Sequence, residues 1–143
     1  MSKHDEDCVE LDPRNGEDIY LGEIIEKRCV IVNGYLFVTN NINVKNNMRC
    51  KSCIWGQDIV VDGNLIVDVG DVSARSINVT GDLIAERGYV FAEGDINVGG
   101  KLKSRVVHSE SGNIRAGDIE SEVVNYNNYI DYIRGGKTFQ KFD

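Results

Sequence analysis

The sequence predicts an all-β chain folded as a single-stranded parallel β-helix (β-solenoid) with triangular coils of about 18 residues. Three observations carry this. The phrases DGNLIV (62–67), TGDLIA (80–85), GGKLKS (99–104) and AGDIES (116–121) begin at positions 62, 80, 99 and 116, a nearly constant interval. Between them runs a second series, DIVV, SINV, DINV and NIRA, which spaces Ile59, Ile77, Ile96 and Ile114 by 18, 19 and 18; Val72, Val90, Val107 and Val124 form a third. Within each series the apolar residue is followed two places later by another small or apolar one, as in Ile59/Val61, Leu65/Val67, Leu83/Ala85, Val90/Ala92 and Ile96/Val98. A period of two is that of a strand with both members facing inward, and a fixed longer period is the mark of stacked repeats.

The elements follow in order along the chain. Extending the register backwards gives Ile24 and Ile42 before Ile59, Val30 and Met48 before Leu65, and Leu36 and Ile54 before Val72, each step repeating the same period to within one position. About six coils result over 24–124, a stack on the order of 30 Å long at about 4.8 Å per rung. Each strand should span three to five residues. Corners fall at Gly with Asn or Asp, residues that tolerate positive φ. Val and Ile suit pleated walls, and the single proline, Pro13, lies outside the coils. One coil cannot bury its inward residues alone, so stability must come from stacking. Residues 1–23 read as an acidic N-terminal leader or cap, with eight acids against two bases. Such a segment is solvated, or serves as a docking arm for a basic partner. Residues 125–143, NYNNYIDYIRGGKTFQKFD, form an aromatic C-terminal cap or tail suited to cover the last coil.

The repeats GNLIV, GDLIA, GDINV and GNIRAGDIES resemble the coils of bactofilin-type, polymer-forming β-helix proteins over residues 24–124. That resemblance implies a self-assembling cytoskeletal scaffold built by stacking bare coil ends. The chain departs from it by carrying substantial segments at both ends. A second resemblance, to hexapeptide-type acyltransferases, would make His108 a base at a cleft between subunits. Against it, the Leu/Ile-x-Val/Ala pairing fits their hexad pattern poorly, and no long loop interrupts the coils to build a site. The chain is therefore expected not to be an enzyme.

Composition narrows the chemistry further. Outside the leader, fourteen bases face fifteen acids, so the net charge of -7 belongs mostly to the leader, and no basic stripe offers itself to nucleic acid. No run approaches the roughly 18 apolar residues of a membrane span, and the opening MSKHDEDCVE is too acidic for a signal peptide. Four irregularly spaced cysteines suggest free thiols in a reducing compartment, hence a cytoplasmic protein. Cys50 and Cys53 form the one CxxC pair, half of a zinc site, but the register puts Cys50 inside the column Val32, Cys50, Val67, Ala85, Ser104, where it acts as a small hydrophobe. EGDI and VGGK read as corners rather than phosphate loops. No cofactor and no small-molecule substrate are expected.

The outward positions are more informative. On the third side of the triangle they read Phe37, Trp55, Ser73, Phe91, His108, Asn125, flanked by Tyr35 and Tyr89; on the second side they read Ile31, Arg49, Ile66, Ile84, Lys103, Glu120. Large aromatics on a solvated wall form a patch that needs a cover. Either a terminal segment folds across it, or Phe37, Trp55 and Phe91, with Tyr35, Tyr89 and His108, anchor a protein partner or a second copy. Size, Asn- and Ile-rich composition and the lack of catalytic chemistry would suit a phage or mobile-element inhibitor of a host factor, of the anti-CRISPR kind.

Overall fold

Alternation of inward and outward side chains leaves each short strand half-buried, and only a stack of such strands completes both the hydrogen bonding and the core. That is the architecture of the computed structural model, which describes residues 8–14, 16, 18–126, 129–134 and 139–141. The chain is all-β, with no helix among the described residues, and every strand pairing is parallel. About six coils stack in the predicted register. On the first wall Ile24, Ile42, Ile59, Ile77, Ile96 and Ile114 sit rung above rung. The second wall carries Val30, Met48, Leu65, Leu83, Leu102 and Ile119. The third carries Leu36, Ile54, Val72, Val90, Val107 and Val124. Together with the residues two places on, these columns form one continuous buried core.

The core narrows along the second wall, where Val32, Cys50, Val67 and Ala85 give way to Ser104 and Ser121. The buried hydroxyls are satisfied locally: Ser104 Oγ donates to the Val106 carbonyl at 3.2 Å and Ser121 Oγ to the Arg105 carbonyl at 3.0 Å. Ser109, buried on the third wall, donates to the Gly94 carbonyl at 2.7 Å. Narrow layers thus take small residues without leaving a hydroxyl unpaired.

Stacking reaches beyond 24–124. Val9–Leu11 pairs with Val30–Val32, and Asp18–Leu21 pairs with Tyr35–Val38, inside the stretch set apart as a leader. At the other end the backbones of Tyr129–Arg134 and Phe139–Lys141 pair with Asn113–Tyr126 and extend the first and third walls in register.

Three local expectations need correction. First, Cys8 and Cys29 are not free thiols: they form a disulfide between Cα atoms 4.5 Å apart, because the Val9↔Val30 register brings the preceding residues side by side. With it goes the cysteine-based reasoning for a reducing compartment. Second, the Gly-Asx corners do not rely on positive φ. Among the described residues no non-glycine has it, and only Gly16 and Gly70 do among the glycines. Instead the Asx side chain accepts from the next coil. Asn47 Oδ1 takes the Asn64 amide, Asn64 Oδ1 the Asp82 amide and Asp82 Oδ1 the Lys101 amide, each at 2.8 Å. Glycine is needed there because the coils approach closely: a Cβ on Gly63 would stand 2.7 Å from Asn47 Oδ1 and 2.9 Å from the Asn46 carbonyl carbon. Third, from Leu83 onward strands do not stop at every corner. Leu83–Ala92, Ile96–Ser109 and Asn113–Tyr126 run 10, 14 and 14 residues, turning at bulges where the register shifts, between Ala85 and Tyr89 and between Val98 and Lys101.

Candidate functional site

The third wall gathers the residues singled out from the sequence. Its outward column runs Tyr20, Phe37, Trp55, Ser73, Phe91, His108, Asn125, one residue per rung. Tyr20 and Phe37 stack at 5.2 Å with planes 14° apart, Phe91 and His108 stack at 5.2 Å and 13°, and Tyr35 meets Phe37 edge-on at 6.0 Å. The strand spacing imposes these stacks, since parallel in-register side chains repeat at close to ring-stacking distance. The column and its flank are nonetheless in contact with solvent: in the column Tyr20 is 70% exposed and Trp55 41%, and beside it Tyr89 is 47% and Tyr35 36% exposed. Ser73 interrupts it with a one-rung notch between Trp55 and Phe91.

The flanks are polar. Asp18, Tyr35, Cys53, Asp71, Tyr89 and Val106 precede the column, and the Arg105 guanidinium lies 6.0 Å from the Tyr89 ring centre. Tyr20 donates to Asp18 at 3.2 Å, and the hydrogen bond to that carboxylate raises the pKa of its phenol. The Cys53 sulfur does the same for Tyr35 and also accepts the Asp71 amide at 3.3 Å. On the following flank Arg75 forks onto Asp58 at 2.7 and 3.1 Å. Where the column begins, Glu10, Asp12, Arg14, Asp18 and Tyr20 line an open hollow of about 750 Å³.

Phe37, Trp55, Phe91, Tyr35, Tyr89 and His108 therefore share one face. Tyr20 was missed because it sits among the acidic residues of 1–23. Its signal was the pair Ile19/Leu21, which stands one period before Leu36/Val38 and sets Tyr20 in front of Phe37. The CxxC cysteines are not brought to a common open site. Cys50 is fully buried, donates to the Gly34 carbonyl at 3.2 Å, and burial pushes its thiol up to about 12, the reverse of what thiolate ligation or redox chemistry needs. Among the described residues no group of three or more His, Cys, Asp or Glu could hold a metal ion, and no helix is long and apolar enough to cross a membrane.

No known protein family, curated protein or solved structure matches this chain.

Proposed function

We propose that this chain is a non-enzymatic β-solenoid whose third wall docks a protein, either a foreign partner or another copy of itself. The observation that carries this reading is the exposed aromatic column from Tyr20 to Trp55, resumed at Phe91. Rigid aromatics with few rotamers to lose are the side chains that supply most of the energy at interface centres. The test is affinity capture with the purified full chain, mass spectrometry of what it holds, and light scattering of the chain alone, each repeated with Trp55→Ala/Phe91→Ala. A specific partner or self-association lost in the variant supports the reading. Binding that survives the double substitution, or none of either kind, overturns it.

A bactofilin-like scaffold is the second reading, favoured by the added rungs at 129–134 and 139–141, which continue the stack as an end-to-end assembly would. It predicts filaments in negative-stain micrographs that persist in Trp55→Ala/Phe91→Ala, because the growth surface would be the coil end and not the wall.

A further inference from the structure

The wall's own pattern names its occupant. We infer that the third wall docks a second copy of this chain, antiparallel, about a two-fold axis parallel to the strands and lying between the Trp55 and Ser73 rungs; this rests on the wall being a docking surface, as proposed above. An isologous interface needs a patch complementary to itself under the two-fold. With the axis there, the Trp55 ring of each copy enters the notch at Ser73 of the other, Phe37 meets Phe91, and Tyr20 meets His108. All the aromatics of the column find a partner and the one gap is filled.

The flanks discriminate among registers, because this operation keeps each flank facing itself. In this register Asp18 comes to the corner that carries Arg105 of the partner subunit, Tyr35 faces Tyr89, Gln57 faces Arg75 and Thr39 faces Glu93, so no like charges oppose. Moving the axis half a rung, onto Ser73, would set Asp71 against Asp71 and Arg75 against Arg75 and would leave two notches facing each other as a void. Moving it to the far side of Ser73 brings the Tyr20 and Phe37 rungs to those of Gln140 and Asn125, with no aromatic residue opposite either. A parallel arrangement, with the axis along the stack, also pairs opposite charges, but it sets Trp55 on Trp55 and Ser73 on Ser73 and so keeps the void. Packing density comparable to a protein interior excludes such a gap from a specific interface.

The six opposed rungs, Tyr20 to His108, at about 4.8 Å each and about four residues wide give roughly 400 Å² per copy. With both copies counted that is about 800 Å², below the standard size of a stable interface, so the dimer should be weak and concentration-dependent.

Sedimentation velocity of the purified full chain from about 1 to 200 µM tests this, with circular dichroism confirming that each variant folds. The expected result is a monomer–dimer equilibrium weakened at least tenfold by Trp55→Ala and by Ser73→Trp, which removes the knob or fills the notch. Asp18→Arg and Arg105→Asp should each weaken it, and the double exchange should restore it. A dimer indifferent to Trp55→Ala and Ser73→Trp overturns the interface. Sensitivity to both without restoration by the charge exchange overturns the antiparallel register. A monomer at every concentration overturns the second copy as occupant and leaves the wall to a foreign partner, which the capture experiment decides separately.

Discussion

If stacking holds the fold together, one substitution should cost different amounts at different heights in the same column. Ile77 and Ile24 are the same residue on the same wall. Ile77 is fully buried between Ile59 below and Ile96 above, whereas Ile24 is 8% exposed and, among the described residues, has a column neighbour only in Ile42. Truncation to Ala removes three carbons at either position, a transfer loss of about 2.4 kcal/mol at about 0.8 kcal/mol each. At Ile77 the space left behind is enclosed by well-packed rungs on both sides and cannot collapse, which adds about 1–2 kcal/mol and brings the total to about 4 kcal/mol. At Ile24 the new space opens toward a hollow of about 180 Å³ lined by Val9, Leu11, Leu21 and Glu23, so the enclosed-cavity cost is largely avoided and about 2 kcal/mol is expected. Urea unfolding followed by circular dichroism at 25 °C measures both, provided the m value is unchanged, since a reduced m would mean that the end coil unfolds on its own. Equal losses at the two positions, within about 0.5 kcal/mol, would refute a stability summed from nearest-neighbour rungs.

Three further outcomes are expected. Gly88→Ala should cost about 2–3 kcal/mol, because its Cβ would overlap the Gly70 carbonyl oxygen and lie 2.8 Å from Asp71 Oδ1, the acceptor of the Tyr89 amide; Gly22→Ala, with nothing within 4 Å, should be close to neutral, both read by the same urea unfolding. Removing the Cys8–Cys29 bridge, which closes a sequence separation of 21, should cost about 3 kcal/mol, read as a melting temperature that falls on reduction in the native chain but not in Cys8→Ala/Cys29→Ala. Arg75 and Ser76 hold the Asp58 carboxyl below the ordinary aspartate value, so its stabilising contribution is present above about pH 4 and fades as pH falls through the lower folded value; with the side chain 30% exposed it should amount to less than about 1 kcal/mol, measured as the shrinking gap between native and Asp58→Asn in urea melts from pH 6 to pH 3.

The coils were legible in the sequence because a solenoid asks every rung for the same thing. An inward aliphatic residue at Ile59 demands one at Ile77 and another at Ile96, so the period is written along the chain, and the outward column follows by alternation. The first coil was not legible. The step from Val9 to Val30 is 21 residues, longer than the regular period, because the sequence between Leu11 and Ile19 is longer than that between Val32 and Leu36, and the inward pairs Val9/Leu11 and Ile19/Leu21 are embedded among acids that read as a solvated leader. The disulfide was hidden by that irregularity, and Tyr20 by the acids around it. The corner chemistry was missed for another reason. Gly-Asx is compatible both with a left-handed turn and with a close approach bridged by a side-chain acceptor, and only the position of the preceding coil separates the two.

A rung of the third wall stacks without an aromatic at its outward position. Ser73 and Asn125 occupy the same outward position, in the same register, as Phe37, Trp55 and Phe91, and Val72 and Val124 beside them are as completely buried as Leu36 and Val90. A small polar residue at this position is therefore compatible with an intact rung. On the second wall the outward column carries no aromatic: Ile31, Ile66 and Ile84 share it with Arg49 and Lys103, which pair with Asp68, Glu86 and Glu120. Tyr20 and Trp55, 70% and 41% exposed, add nothing to the buried core. The separation of inward from outward residues also means that wall substitutions such as Trp55→Ala test binding without disturbing the stack, whereas column substitutions such as Ile77→Ala test the stack. A loss of association in Trp55→Ala at unchanged stability would assign the ring to recognition alone.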